Sequence, residues 1–195
     1  MLQRKCFPSR QTTMFCIKCG SKTNNVRLNG ESIFRDVCSS CNYIHYVNPK
    51  IIVGALPFKN NRILLCKRDI HPGFGKWTLP SGFMEMGESL EQGAKREALE
   101  EANLEISIKM LYGTYSIPEI GQVLFIYIAK ILNDDFKAAD ETSEVRLFDI
   151  DTIPWDQIAF PSVQYFLNKY VEDFKNKNNF HFHSNFLNET DKRSQ

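Results

Sequence analysis

From Ile51 to Phe58 and again from Arg62 to Arg68 the chain is predominantly apolar, and Lys59-Asn60-Asn61 separates the two runs. Two short β-rich runs joined by turn residues predict a hairpin. Leu111 to Ile117 and Gln122 to Ile131 read as two further strands around Pro118-Glu119-Ile120-Gly121. The second is apolar almost throughout, as a central strand covered on both faces would be. Val145 to Ile150 reads as another short strand. Two stretches carry helical periodicity instead. Ser89 with Gln92 three residues on is a capping box, which predicts a helix starting at Ser89, and Asn103 is suited to a left-handed closing residue. Farther along, Val163, Phe166, Leu167, Tyr170, Val171 and Phe174 share one side of a second helix, with Ser162 as its expected cap. Strands interleaved with helices predict an α/β fold, the second helix covering one face of the sheet.

Composition narrows this picture. The chain has 195 residues, 43% of them hydrophobic, with 15 Phe, enough for one ordinary core and a small appendage. A formal net charge of +1 gives no global sign of a polyanion-binding protein, so a nucleic-acid partner would need a local patch. No run reaches the ~18 apolar residues of a membrane-spanning helix, so no membrane partner is expected. Residues 1–13 are basic and lack acids, and are expected to be a disordered extension; so is the polar, Asn-rich tail over 176–195, with His181 and His183 solvated in it. Six cysteines in a chain with this core fit a reducing, cytoplasmic setting better than a disulfide framework.

Four of those cysteines are regularly spaced. Cys16-x₂-Cys19, eighteen residues, and Cys38-x₂-Cys41 have the spacing of a closed, structural Cys₄ zinc site, with Gly20 placed for the turn after the first pair. Such a site lets residues 14–45 fold without a core of their own. The segment between the pairs is not strongly basic, so nucleic-acid binding is not expected. Cys66, inside an apolar run, reads as a buried strand residue.

The other chemical signal lies on the first helix. Glu97, Glu100 and Glu101 stand at i, i+3 and i+4 and crowd one face of it. Like charges at that spacing repel, and the C-terminal half of a helix disfavours anions. A hard divalent cation would turn the penalty into a ligand set. Gly82, five residues, Glu88, seven residues, then Arg96-Glu97-Ala98-Leu99-Glu100-Glu101-Ala102-Asn103-Leu104 resembles the Nudix box. That pattern is G, five residues, E, seven residues, then R-E-U-x-E-E-x-G-U, with U a bulky aliphatic. Every charged position is filled; Ala98 replaces an aliphatic, and Asn103 replaces the closing glycine.

The resemblance implies a Nudix α/β/α sandwich with a mixed sheet over residues 46–175, preceded by a zinc ribbon. With the His45-Tyr46, Leu79-Pro80-Ser81-Gly82-Phe83 and Ile153-Pro154-Trp155 segments, the arrangement is similar to zinc-ribbon Nudix hydrolases that cleave ADP-ribose or FAD. It implies Mg²⁺ or Mn²⁺ held by Glu97, Glu100 and Glu101, with the Gly82 carbonyl and Glu88 as further candidates. Arg96 would orient a carboxylate, and Glu141 or Glu144 would supply a general base. Arg68, Phe83, Tyr115, Gln122 and Phe125 are the candidate substrate contacts, and Trp77 is expected to pack beneath the loop around it. The S-Q-P-W-P-F-P-x-S motif of the related NADH pyrophosphatases is missing from Tyr115 to Gln122, which disfavours NADH. Enzymes of this kind are often homodimers. The contrasting reading is a non-catalytic ligand- or nucleic-acid-binding module.

Overall fold

The computed structural model describes residues 14–187, which divide after Asn48 into two compact units. In the first, strands β1 (Thr23–Arg27), β2 (Phe34–Cys38) and β3 (Ile44–His45) form an antiparallel sheet in that order. Cys16 and Cys19 flank a turn before the sheet, and Cys38 ends β2 with Cys41 on the turn that follows. Gly20 at φ +72° and Asn42 at φ +57° reverse the chain after each pair. All four Sγ atoms lie within 4.8 Å of one another, with Cys19–Cys38 at 3.4 Å and Cys16–Cys41 at 3.7 Å. Thiolates about 2.3 Å from one tetrahedral ion would be about 3.8 Å apart, so the donor set fits such an ion.

The second unit is built on a mixed sheet. Its strands are β4 (Lys50–Lys59), β5 (Arg62–Arg68), β6 (Trp77–Thr78), β7 (Ser81–Phe83), β8 (Ile106–Ile117), β9 (Gln122–Ile131), β10 (Thr142–Asp149) and β11 (His183–Phe186). Helix α1 (Leu90–Ala102) lies between β7 and β8, and helix α2 (Pro161–Lys175) between β10 and β11. The strand order is β10-β5-β4-β9-β8-β11; β4 and β9 are parallel, as are β8 and β11, and the other neighbours run antiparallel.

Period-two alternation sends the two faces of this sheet to different helices. Leu56, Ile63, Leu65, Ile126 and Ile128 pack with Val163, Phe166, Leu167 and Tyr170 of α2. Their neighbours Ala55, Leu64, Cys66, Ala129 and Ile131 face Ala98 and Ala102 of α1. The result is the α/β/α sandwich expected from the sequence. Trp77 is buried in the α2-side core, edge-on to Phe148 at 4.9 Å.

Helix α1 begins as its sequence predicts. Ser89 Oγ accepts from Gln92 N, Gln92 Oε1 accepts from Ser89 N, and Asn103 closes the helix at φ 47° and ψ 40°. Two expectations need correction. Ser162 does not cap α2: Pro161 takes the first helical position, Phe160 precedes it in an extended conformation, and Ser162 is buried within the helix. Nor is the stretch after Asn176 simply a disordered tail, because residues 176–187 are described and include β11. This strand pairs in parallel with β8, His183 opposite Gly113 and Phe186 opposite Ser116, so the unit extends at least to Leu187. An edge strand can be polar, since backbone pairing rather than side-chain burial holds it. The expectations for residues 1–13 and for the end of the tail, 188–195, lie outside the described residues.

Candidate active site

The site is assembled where β7, paired antiparallel with β4, meets α1. Gly54 is required on β4, because a Cβ there would lie 2.4 Å from Ser81 Cβ and 2.7 Å from Pro80 O. Gly82 is required on β7 for a chemical reason: a Cβ would meet the Glu97 carboxylate at 2.4 Å. Gly93, which the sequence reading passed over, gives the same kind of clearance; a Cβ would lie 2.6 Å from Glu88 Oε1 and 2.7 Å from Val53 Cγ2. The backbone therefore comes close enough for carboxylates to gather at the α1–β7 junction.

Arg96 holds one side of this gathering. Its Nε and Nη2 donate to both oxygens of Glu88 at 3.0 and 2.8 Å, and Nη1 donates to Glu97 at 2.7 Å and Glu100 at 2.8 Å. Nη2 also donates to Phe83 O at 3.0 Å, which ties the helix to the loop before it. The hydrogen bonds from Arg96 hold the Glu88 carboxyl at about 2, far below its usual range. Glu88 is thus a fixed anion of the framework, and neither Glu88 nor Arg96 lines the cavity described below.

Glu97 and Glu101, one turn apart, are buried; Glu100 is half-exposed. Burial raises the Glu97 carboxyl against the pull of Arg96. Burial, with the Glu97 charge second, pushes Glu101 up to about 8, although the Ser81 N–H donates to it. Glu101 Oε2 is buried without a hydrogen-bond partner. A buried carboxylate oxygen left bare is costly, and beside two further carboxylates it has the chemistry of a ligand for a hard cation.

These groups open into a cavity of about 880 Å³. Seven carboxylates line it (Glu85, Glu97, Glu100, Glu101, Glu119, Asp140 and Glu141), against one guanidinium, Arg68, among the described residues. Apolar and aromatic side chains complete the lining, among them Ile52, Phe83, Tyr115, Leu124, Phe160 and Leu187, together with Gln122. Arg68 donates to Pro72 O at 2.7 Å and lies over the Phe160 ring at 5.2 Å. The segment 133–141 reaches the site by covering the end of α1: Lys137 N and Ala139 N donate to Ala102 O and Glu101 O at 3.0 and 3.2 Å.

Of the residues expected here, the structure brings Gly82, Glu97, Glu100, Glu101, Glu141, Arg68, Phe83, Tyr115 and Gln122 to one cavity. Besides Glu88 and Arg96, which stand behind the cavity lining, two further candidates are placed elsewhere. Phe125 follows the cavity-lining Leu124 and falls on the opposite, α1 side of the sheet by strand alternation. Glu144 pairs with Lys67 at 3.4 Å and with Arg146, beyond a register shift between Thr142 and Glu144 that turns it away from Glu141. Asp140, Phe160 and Leu187 were missed; only the folded chain brings these distant segments to the box.

The NUDIX domain family model matches residues 48–167, more than half of the chain, and the family described as Nudix N-terminal matches residues 14–47. This chain belongs to the Nudix family. A NUDIX hydrolase from Nitrosomonas europaea has a similar structure, with a TM-score of 0.86 and 46% identity over 90% of this chain and 99% of that one. An ADP-ribose pyrophosphatase of Methanocaldococcus jannaschii is 36% identical over 122 residues, 60% of this chain and 71% of that protein. The NAD-capped RNA hydrolase NudC of Vibrio atlanticus is 31% identical over 150 residues, 74% of this chain; the chain spans only 52% of that relative. The Nudix scaffold and its relatives make this chain a hydrolase of diphosphate bonds. Among the described residues no helix is long and apolar enough to cross a membrane.

Proposed function

We propose that the chain hydrolyses the diphosphate of a nucleoside diphosphate joined to a second group, with ADP-ribose as the first substrate to test and FAD as the second. The observation that carries this reading is the bare, buried Glu101 oxygen facing a seven-carboxylate cavity with aromatic side chains in its lining. A site so acidic would repel a diphosphate unless a cation stood between them. Glu97, Glu100 and Glu101 are the residues that would hold Mg²⁺ or Mn²⁺, with the Gly82 carbonyl beside them. A divalent cation there supplies neutralisation of diphosphate charge and a more acidic water.

The chain's own groups do the rest. Arg96 keeps Glu97 and Glu100 aimed while Glu88 anchors it from behind. Glu141, which lines the cavity, is the remaining candidate for accepting a proton from the attacking water. Phe83, which is exposed, offers a ring face to a base, Tyr115 lines the cavity as a buried core residue, and Arg68 offers charge to the phosphates. The cavity size suits a dinucleotide-sized ligand. In the other unit, Cys16, Cys19, Cys38 and Cys41 would hold a structural Zn²⁺. We keep residues 14–45 as the ribbon and extend the hydrolase domain expected over 46–175 to residue 187 by β11, with a cytoplasmic setting and a homodimer as the assembly to weigh by sedimentation.

A second reading has its own support. Relatives such as the Vibrio protein are NAD-capped RNA hydrolases and match three quarters of this chain. The missing motif between Tyr115 and Gln122 argues against it. Release of AMP or NMN from ADP-ribose, FAD, NADH and NAD-capped RNA, each with Mg²⁺ and with EDTA, separates the readings. Metal-dependent cleavage of ADP-ribose or FAD supports the first; cleavage confined to NADH or capped RNA replaces it with the second. Failure to cleave any of the four would overturn both substrate readings and point to another diphosphate compound.

A further inference from the structure

Strand β11 is fastened to α2 by a cluster that the reaction above does not use. Asp173, buried on the inner side of α2, accepts a hydrogen bond from the Tyr112 hydroxyl on Oδ2 at 2.8 Å. His183 Nε2 lies 2.8 Å from the same oxygen, and His181 Nδ1 lies 3.4 Å from Oδ1. The two imidazole rings are 4.2 Å apart. One ligating atom from each of Asp173, His181 and His183 falls within 4.8 Å of the other two.

We propose that Asp173, His181 and His183 form a second metal site, for a borderline transition-metal ion of the Zn²⁺ class, which staples β11 to α2. Two imidazoles with one carboxylate select that class over Mg²⁺ or Ca²⁺, which take oxygen donors. Donors about 2.1 Å from a tetrahedral ion stand about 3.4 Å apart. His181 Nδ1 is already at that separation from Oδ1. His183 Nε2, at the hydrogen-bond distance of 2.8 Å from Oδ2, and His181 Nδ1, 3.2 Å from Asn179 O, would exchange those contacts for the ion. The ligands are supported as those of metal sites are. Tyr112, itself fully buried, fixes the carboxylate from outside by its hydroxyl. His181 is the way in: its side chain is 60% exposed, so an ion can reach the cluster and water can complete its shell.

The position gives the site a consequence. Beyond β11, Leu187 donates from its backbone to Ser116 O at 2.9 Å and lines the active-site cavity. Tyr165 on α2 donates to Ser184 O at 3.2 Å. A cation at Asp173 would therefore fasten the strand that leads into one cavity wall. This proposal stands whether or not the substrate reading above is right.

The experiment is a Zn²⁺ titration of the full chain, with the cysteine site zinc-loaded and Mg²⁺ in excess to occupy the box. The histidine ring ¹⁵N resonances and Tm are followed together. Saturable shifts of the His181 Nδ1 and His183 Nε2 signals, with a rise in Tm, are the expected result. His181→Ala should weaken the response at His183 by at least about 100-fold, and Tyr112→Phe by about 10- to 100-fold, with an unchanged backbone spectrum. Ring signals that do not move in excess Zn²⁺ would overturn the site. So would a His183 response that survives intact in His181→Ala, since zinc would then be bound elsewhere.

Discussion

The two helices of the hydrolase unit cover the same sheet in opposite ways. Helix α1 presents small residues, Gly93, Ala94, Ala98 and Ala102, and comes close enough for its glutamates to be buried beside β7. Helix α2 presents Val163, Phe166, Leu167 and Tyr170 and builds the larger core. Each buries carboxylate, but the company differs. Asp173 on α2 has a tyrosine hydroxyl and an imidazole within 2.8 Å. Glu101 on α1 has an oxygen with no partner at all. A satisfied carboxylate contributes to stability, whereas a bare one lowers it and persists where function needs it.

The comparison breaks most visibly in activity. Glu101→Gln or Glu100→Gln should lower kcat by more than about 100-fold, beyond the usual effect of losing an outer partner of a metal ligand. Zinc content and fold should survive, and near-wild-type turnover in both variants would remove the box from the chemistry. Stability should then move in opposite directions on the two helices. Asp173→Ala leaves the Tyr112 hydroxyl and His183 facing an apolar gap, and should cost about 3 kcal/mol in urea unfolding. Glu101→Gln should instead raise the Tm of EDTA-treated protein. A loss of stability in both variants would show that Glu101 is structurally satisfied after all.

The same contrast predicts a pH dependence for the metal-free chain. The Glu101 carboxyl titrates at about 8 in the fold because of burial, well above its ordinary value of 4.5. Between those values the folded state holds a proton that the unfolded state has released. Glu101 therefore makes stability fall as pH rises through that window, reaching its full penalty above pH 8. Urea midpoints of EDTA-treated protein measured across the window should decline less steeply in Glu101→Gln. Equal slopes would sink the assignment.

How much of this could be read from the chain depends on distance along it. The capping box at Ser89, the glutamate register on α1 and the paired cysteines are local spacings, and each stands in the structure as expected. Assignments that needed a strand's facing or a chain reversal fared worse. Phe125 and Leu124 differ by one residue and so by a whole sheet face. Glu144 lies beyond a register shift that no composition signal marks. Asp173 drew no reading from the sequence, and His183 was expected in a solvated tail; only the return of β11 beside β8 joins them. Pro161 outranked Ser162 at the start of α2 because its fixed φ already suits the first helical position.

A close approach sets the next effect. At Gly82→Ala the new Cβ would fall 2.4 Å from the Glu97 carboxylate, on the same side as Arg96. Either β7 shifts or Glu97 leaves its bond to Arg96, at a cost of about 1–3 kcal/mol. Activity should fall along with stability. Lost stability with unchanged turnover would mean that the position of Glu97 does not matter to the reaction.

The smallest effect lies at the box's own departure from its family. Asn103 holds the left-handed closing position where the pattern has glycine, at a conformational cost of about 1 kcal/mol. Its side chain offsets this by donating to Asp135 O at 3.2 Å, and Asn133 Nδ2 returns a bond to Asn103 O at 2.9 Å. Those contacts fix the segment that carries Glu141 across the end of α1. Asn103→Gly relieves the backbone but loses the side-chain bond, so stability should change by less than about 0.5 kcal/mol. Asn103→Ala keeps the strain, loses the bond and should cost about 1 kcal/mol. If Glu141 accepts the proton, both variants should lower kcat several-fold through a loosened 133–141 segment. Unchanged kcat in both would mean that the asparagine closes the helix and nothing more.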